Sequence, residues 1–159
     1  MLLALLAFGC HSGPSSGVSA SYDSASVTPG GNTRQDDSLQ AQLRAPDSVF
    51  EDGSRPTSWR AAGFSDPLAF KLFLIDFKTW VRRDQVDSIA HHIRFPIRGA
   101  GSVAWFKERY PRVFTPRIKN VVARQRLDRI FRNGQGAMMG NGEVWFVEER
   151  GKYWVSAVN

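Results

Sequence analysis

The chain has 159 residues, of which 42% are hydrophobic and 12% aromatic, so it is long enough for one compact domain and too short for two. Its single cysteine excludes an internal disulfide and a cysteine-based metal site. The net charge of +6 is unevenly placed, because positions 1–59 sum to −3 (3 basic, 6 acidic) and positions 60–159 to +9 (18 basic, 9 acidic). A basic region behind an acidic one indicates contact with anionic material, or a solvated surface that favours solubility.

The N-terminal residues predict export. Residues 1–9, MLLALLAFG, are an apolar run that ends in a small residue directly before Cys10. This pattern resembles the signal sequence and lipobox of bacterial lipoproteins, which implies that Cys10 is acylated and anchors a periplasm-facing protein in the cell envelope. The run is too short to span a bilayer, since a transmembrane helix needs roughly 20 residues. The alternatives are a plain secretory signal and a cytosolic chain with an apolar N-terminus.

The next segment, residues 11–56, predicts a flexible tether. Ser, Gly, Thr, Asp and Asn dominate residues 11–40, and such a sequence buries too little apolar surface to offset its ordering entropy. A single helical turn is expected at 48–51. The predicted organisation is therefore a signal segment at 1–10, a tether at 11–56 and a folded domain at 57–159.

The folded domain is expected to begin with a long helix. Asp66 offers a capping side chain before Pro67, which predicts a helix start, and helical periodicity extends the helix over 67–83. Asp84 is expected to cap a short second helix. The apolar stripe of the first helix is Phe70, Phe73, Leu74, Phe77, Trp80 and Val81. A stripe so aromatic favours a place in the core over a cofactor site.

An edge strand and two more helices are expected next. Residues 93–98 alternate with a period of two, and their proline restricts them to an edge position. Ser102 and Thr115 are predicted caps of a third helix at 103–109 and a fourth at 116–125.

The remaining residues predict an antiparallel meander. Four short segments rich in β-branched, aromatic and Met residues are separated by turns that contain Gly. The expected strands are 127–132, 135–139, 143–149 and 152–158. Helices followed by such a sheet place the chain in the α+β class, with N-terminal helices packed on a curved antiparallel sheet.

Three segments carry a resemblance to a known family. They are FPIRG at 95–99, FKERYPRVFTP at 106–116 and QGAMMGNGEVWF at 135–146. Together with the order of elements over 67–159, they are similar to small exported bacterial proteins of unknown function with the nuclear-transport-factor-2-like (cystatin-like, SnoaL-like) cone fold. The resemblance implies a strongly bent sheet around the first long helix, often with a pocket at the open end. It implies no single chemistry, because this fold hosts isomerases, dehydratases and binding modules.

Five residues are candidates for lining such a pocket: Asp76, His91, His92, Glu143 and Trp145. Adjacent histidines on a helix point about 100° apart, so they do not form a shared metal site by themselves. One of them could act with a carboxylate as a general acid–base pair, or both could simply terminate a helix favourably. Glu143 and Trp145 alternate along a strand and should share one face, either the pocket or the outer face.

The basic stretch at 94–132 is the strongest polar signal, with 11 basic and 2 acidic residues, or +9. The predicted basic surface is Arg94, Arg98, Arg109, Arg112, Arg117, Lys119 and Arg124. No nucleic-acid-binding motif accompanies it. Anionic lipid headgroups or wall polymers fit an envelope protein better.

The sequence thus predicts an exported, lipid-anchored α+β domain that acts as a non-enzymatic binding or envelope-associated module without cofactor or metal. One alternative is an acid–base enzyme of the isomerase or dehydratase type that uses Asp76, a histidine and Glu143. Another is a homodimer that pairs through the outer face of the sheet.

Overall fold

The computed structural model describes residues 32–47, 50 and 54–159, which form five helices and one four-stranded antiparallel sheet. The helices are α1 Asn32–Arg44, α2 Pro67–Arg82, α3 Val86–His91, α4 Val103–Val113 and α5 Pro116–Arg124. The strands are β1 Phe131–Asn133, β2 Gly136–Met139, β3 Val144–Glu149 and β4 Lys152–Val158. The sheet is open, with the strands in sequential order. The predicted α+β class and C-terminal meander are confirmed.

Helix α2 is the long helix that packs against the sheet. The Asp66 side chain accepts a hydrogen bond from the backbone N–H of Ala69 at 3.0 Å, and Pro67 occupies the first turn. Its buried face follows the predicted stripe. The ring of Phe77 meets that of Phe146 edge-on at 5.1 Å, and that of Phe70 lies 5.2 Å from Tyr153.

The inner face of the sheet is completely covered. Its fully buried side chains are Ala137, Met139, Val144, Phe146 and Val155. They pack against the aromatic stripe of α2, as the contact between Phe77 and Phe146 shows. The space between helix and sheet is therefore filled by apolar side chains.

The outer face carries a second apolar row. Cross-strand pairing aligns Phe131, Met138, Trp145 and Ala157 from β1 to β4, and all four are half-buried. The ring of Phe50 stacks on Phe131 with a centroid distance of 5.3 Å. Trp145 thus belongs to the outer face.

The N-terminal part differs from the predicted tether from Asn32 onward, because α1 lies within it. Leu39 and Leu43 pack against the core, and the side-chain oxygen of Gln42 accepts a hydrogen bond from the N–H of Leu127 at 3.0 Å. Cys10 and the signal segment lie outside the described residues, as does most of the helical turn expected at 48–51.

A buried polar cluster joins the segment after α1 to the domain. Lys71 Nζ lies 2.9 Å from Asp47 Oδ1, with side chains only 4% and 8% exposed. Asp47 Oδ2 also accepts a hydrogen bond from Trp59 Nε1 at 3.0 Å, and the guanidinium of Arg132 lies 4.2 Å from the Trp59 ring centroid. Residues on both sides of position 50 therefore belong to the folded body.

The prediction of an edge strand at 93–98 was wrong, because these residues form only isolated bridges. Ile93 forms one isolated parallel bridge to Val155, in which the N–H of Arg94 donates to the Val155 carbonyl at 2.9 Å. Pro96 has no N–H with which to continue the ladder.

Asp84 does not cap α3 as expected. It has a left-handed φ of 50°, and Gln85 is the cap residue. The Asp84 carboxylate instead accepts a hydrogen bond from the Tyr110 hydroxyl at 2.9 Å and pairs with Lys119 Nζ at 2.5 Å. It thereby links the α2–α3 junction to α4 and α5.

Candidate functional site

The five predicted pocket residues are not brought together around one cavity. Asp76 is exposed on α2, opposite its buried stripe, and Trp145 lies on the outer face of the sheet. Glu143 lies in the turn between β2 and β3, where it does not share the face of Trp145. An acid–base site would need a carboxylate and an imidazole in one cavity.

The two histidines lie at the end of α3. His91 is its last residue and is exposed, and His92 is its C-cap. The His92 ring stacks on Trp80 at 4.7 Å, and its Nδ1 lies 3.0 Å from the Ser88 carbonyl. Because a carbonyl only accepts, this contact favours the tautomer with the proton on Nδ1.

Both histidines line a surface cleft of about 240 Å³. Its other described lining residues are Phe73, Lys152, Tyr153 and Trp154. No carboxylate is among them, so this cleft does not assemble the predicted acid–base pair.

Glu143 stabilises the turn between β2 and β3. Its Oε1 accepts a hydrogen bond from Arg117 Nη1 at 2.8 Å, and its Oε2 accepts one from the backbone N–H of Asn141 at 2.5 Å. Gly140 has a φ of +67°, and a Cβ there would collide with the Glu143 carboxylate. The carboxylate therefore holds the β2–β3 turn and ties it to α5.

The described part of the chain lacks two specific features, a cluster of metal ligands and a helix that could span a membrane. It holds no group of three or more His, Cys, Asp or Glu residues placed to bind a metal ion. None of its helices is both long and apolar enough to cross a membrane.

The structure separates the predicted basic surface into three groups. Arg94 pairs with Glu149 and Lys119 with Asp84, so their charges are locally balanced. Arg124 lies apart and lines a different groove. The remaining four, Arg98, Arg109, Arg112 and Arg117, line one cleft of about 410 Å³, which we call the arginine cleft.

The four arginines of the cleft come from three separate elements. Arg98 comes from the loop before α4, Arg109 and Arg112 come from α4, and Arg117 comes from the first turn of α5. The buried side chains of Val113, Ile118 and Val158 supply apolar lining, and Thr115 and Asn159 supply polar lining. Among the described residues, no Asp or Glu lines the cleft.

Local chain geometry explains how α4 and α5 present these side chains. Thr115 Oγ1 accepts a hydrogen bond from the N–H of Ile118 at 3.4 Å, and this cap starts α5 directly after α4. Arg109 and Arg112 are three residues apart, so they lie on the same side of α4. The short connection thereby brings the end of α4 and the start of α5 to the same cleft.

The positive charge of the cleft is only partly compensated. Arg117 pairs with Glu143 and also donates to the Asn159 carbonyl at 3.2 Å. Arg98 and Arg112 are exposed and make no ion pair with any described residue. The cleft therefore keeps an excess of positive charge.

Arg109 is held by an aromatic ring. Its guanidinium carbon lies 4.7 Å from the centroid of Trp105, a residue that is 47% exposed. Its Nε is buried and has no hydrogen-bond acceptor within the described part of the chain. A buried donor without an acceptor is unfavourable, and such groups often mark sites of function.

The sequence predicted the basic residues but not Trp105 or Thr115 as parts of a site. The spacing of Trp105 and Arg109, four residues apart on a helix, was the available signal for their contact. The convergence of Arg98 with α4 and α5 had no local signal, because it depends on tertiary packing.

The chain was also compared with known proteins. It matches no family model, and no curated protein or solved structure is significantly similar to it.

Proposed function

We propose that the protein is an exported, non-enzymatic binding module that holds anionic material of the cell envelope at its basic face. The observation that carries this proposal is the arginine cleft, which four arginines line and to which no Asp or Glu among the described residues contributes. The filled space beneath the sheet adds support, because it directs binding to the surface.

The proposed location rests on the N-terminal sequence. The apolar run before Cys10 resembles a lipoprotein signal, and acylation there would keep the basic domain close to a membrane. Each basic residue near an anionic membrane contributes about 1 kcal/mol to binding. Anchor and charge would then act together at the same membrane surface.

We propose in addition that the fold is of the nuclear-transport-factor-2-like cone type. The support is a long helix, α2, that packs along the inner face of a sequential antiparallel meander, preceded and followed by shorter helices. The proposal concerns architecture only, because this fold carries many unrelated functions.

Co-sedimentation with lipid vesicles tests the proposed function. The full chain with Cys10→Ser, which cannot be acylated, is mixed with phosphatidylglycerol or phosphatidylcholine vesicles at 0.1 M and 1 M salt. We expect binding to phosphatidylglycerol that falls steeply with salt, since the screening length drops from about 10 Å to about 3 Å. Equal binding to both lipids, or binding that persists unchanged at 1 M salt, would contradict the proposal.

A further inference from the structure

We infer that the arginine cleft is a specific site for a terminal phosphate group, either a phosphate monoester or a pyrophosphate. The inference rests on the proposed function and names the chemistry that its basic face recognises. It assigns the cleft to a ligand with at least two negative charges on one compact group.

The number of charges favours a dianion over a monoanion. Four guanidinium groups line the cleft, and the carboxylate of Glu143 offsets only that of Arg117. Arg98, Arg109 and Arg112 therefore have no ion-pair partner among the described residues. A terminal phosphate carries nearly two charges at pH 7, whereas a phosphodiester or a carboxylate carries one.

The arrangement of Arg109 favours an oxyanion with several acceptor atoms. The guanidinium carbon of Arg109 lies 4.7 Å from the centroid of Trp105, so a cation–π contact, and not an acceptor atom, holds this charge. The planar donor fork of arginine matches two oxygens of a phosphate group. The Nε of the same side chain has no hydrogen-bond acceptor among the described residues.

Helix α5 adds to the positive potential. The N-terminal end of a helix carries a partial positive charge that acidic residues commonly offset. The first turn of α5 contains no acidic residue and instead contains Arg117, so charge and dipole have the same sign there. An anion in the cleft would offset both the charge of Arg117 and the partial positive charge at the start of α5.

The shape of the cleft favours a confined ligand over diffuse attraction. Its volume of about 410 Å³ lies in the range of small-molecule sites. The apolar lining from Val113, Ile118 and Val158 limits where hydrogen bonds form, so the phosphate group would lie toward the arginines.

Isothermal titration of the full chain with pyrophosphate at 0.15 M salt tests the inference. The cleft variant is Arg98→Gln/Arg112→Gln, and the matched control is Arg82→Gln/Arg83→Gln, which removes the same charge from exposed residues outside the cleft. We expect wild-type binding, at least a tenfold rise in Kd for the cleft variant and less than a twofold rise for the control. Circular dichroism establishes that both variants are folded.

Two results of this titration would overturn the inference. One is the absence of pyrophosphate binding to the wild-type chain. The other is equal weakening in both double variants, which would indicate a general charge effect. If pyrophosphate fails to bind while salt-sensitive binding to phosphatidylglycerol vesicles persists, this inference fails and the proposed function stands. If pyrophosphate binds and the vesicles do not, the envelope proposal fails instead.

Vesicles then distinguish the two sources of a terminal phosphate. Phosphatidic acid presents a phosphate monoester and phosphatidylglycerol a diester, so the two are compared at equal surface charge. Preference for phosphatidic acid, lost when pyrophosphate is added, supports a lipid headgroup as the ligand. Pyrophosphate binding without that preference supports a soluble phosphorylated ligand.

Discussion

Lys71 and Asp47 form an ion pair that the protein almost completely encloses, and it has a second partner in the indole N–H of Trp59. Removing charges from water is expensive, so such a pair is stable only while both partners are present. Asp47 lies outside every helix and strand. The pair therefore anchors an otherwise irregular segment to α2.

We expect Lys71→Met to lower the free energy of unfolding by about 3 kcal/mol, because the Asp47 carboxylate would stay buried without its direct ion-pair partner. Lys107→Met is the control, since Lys107 pairs with Asp87 at an exposed position and should cost less than about 1 kcal/mol. Urea denaturation measures both values. Similar losses in the two variants would show that the enclosed pair has no special weight.

Asp84 makes the stability of the folded state depend on pH in the acidic range. Hydrogen bonds from Lys119 and Tyr110 lower the pKa of Asp84 below its ordinary value of 3.8. A carboxyl whose folded pKa is depressed stabilises the folded state above its unfolded pKa, and this contribution is lost as pH falls through the folded pKa.

We expect Asp84→Asn to weaken the fall in stability between pH 6 and pH 3. Asparagine tolerates the left-handed backbone at this position but has no charge to lose. Some dependence should remain, because Arg126 also lowers the pKa of Asp128. Urea midpoints across this pH range check the prediction, and a profile identical to that of the wild type would refute it.

Within the sheet, the start of strand β2 depends on one glycine. Gly136 has a φ of +127°, and a Cβ there would collide with the carbonyl oxygen of Phe146 on β3. The two strands approach so closely at this point that no side chain fits.

Gly136→Ala should therefore destabilise the domain by at least about 2 kcal/mol, through strain and through displacement of β3. Gly134→Ala is the matched control two residues earlier, because an added Cβ there meets nothing within 4 Å. We expect the control to stay within about 0.5 kcal/mol of the wild type. Thermal or urea unfolding measures the stability of both variants. If Gly136→Ala is as stable as the wild type, the close approach of the two strands is contradicted.

Elements with local signals were predictable and those held by distant contacts were not. Asp66 and Pro67 started α2 as expected, because capping involves neighbouring residues. The polar sequence of α1 predicted a tether, whereas Leu39, Leu43 and the hydrogen bond of Gln42 to Leu127 hold that helix to the core. Lys71 could not be recognised as buried, since its partner lies 24 residues earlier in that same supposed tether.

At the scale of the whole molecule, the same difference applies to the arginine cleft. Net charge predicted a basic face, since charge is a property of composition. Which arginines line one cleft depends on how the loop before α4 and the start of α5 pack, and this packing brings Arg98 to the same cleft as Arg117 but not Arg94. The candidate site therefore could not be predicted from the sequence without the three-dimensional structure.

The packing of α2 against the last strands also has a consequence in time. Phe70 contacts Phe146, which is synthesised 76 residues later (146 − 70). At about 5–20 residues per second, the aromatic stripe of α2 leaves the ribosome roughly 4–15 s before the strands that cover it. During that interval the nascent chain cannot complete its core. We propose that this protein is exported, and a chain that crosses a membrane before it folds would benefit from such a delay.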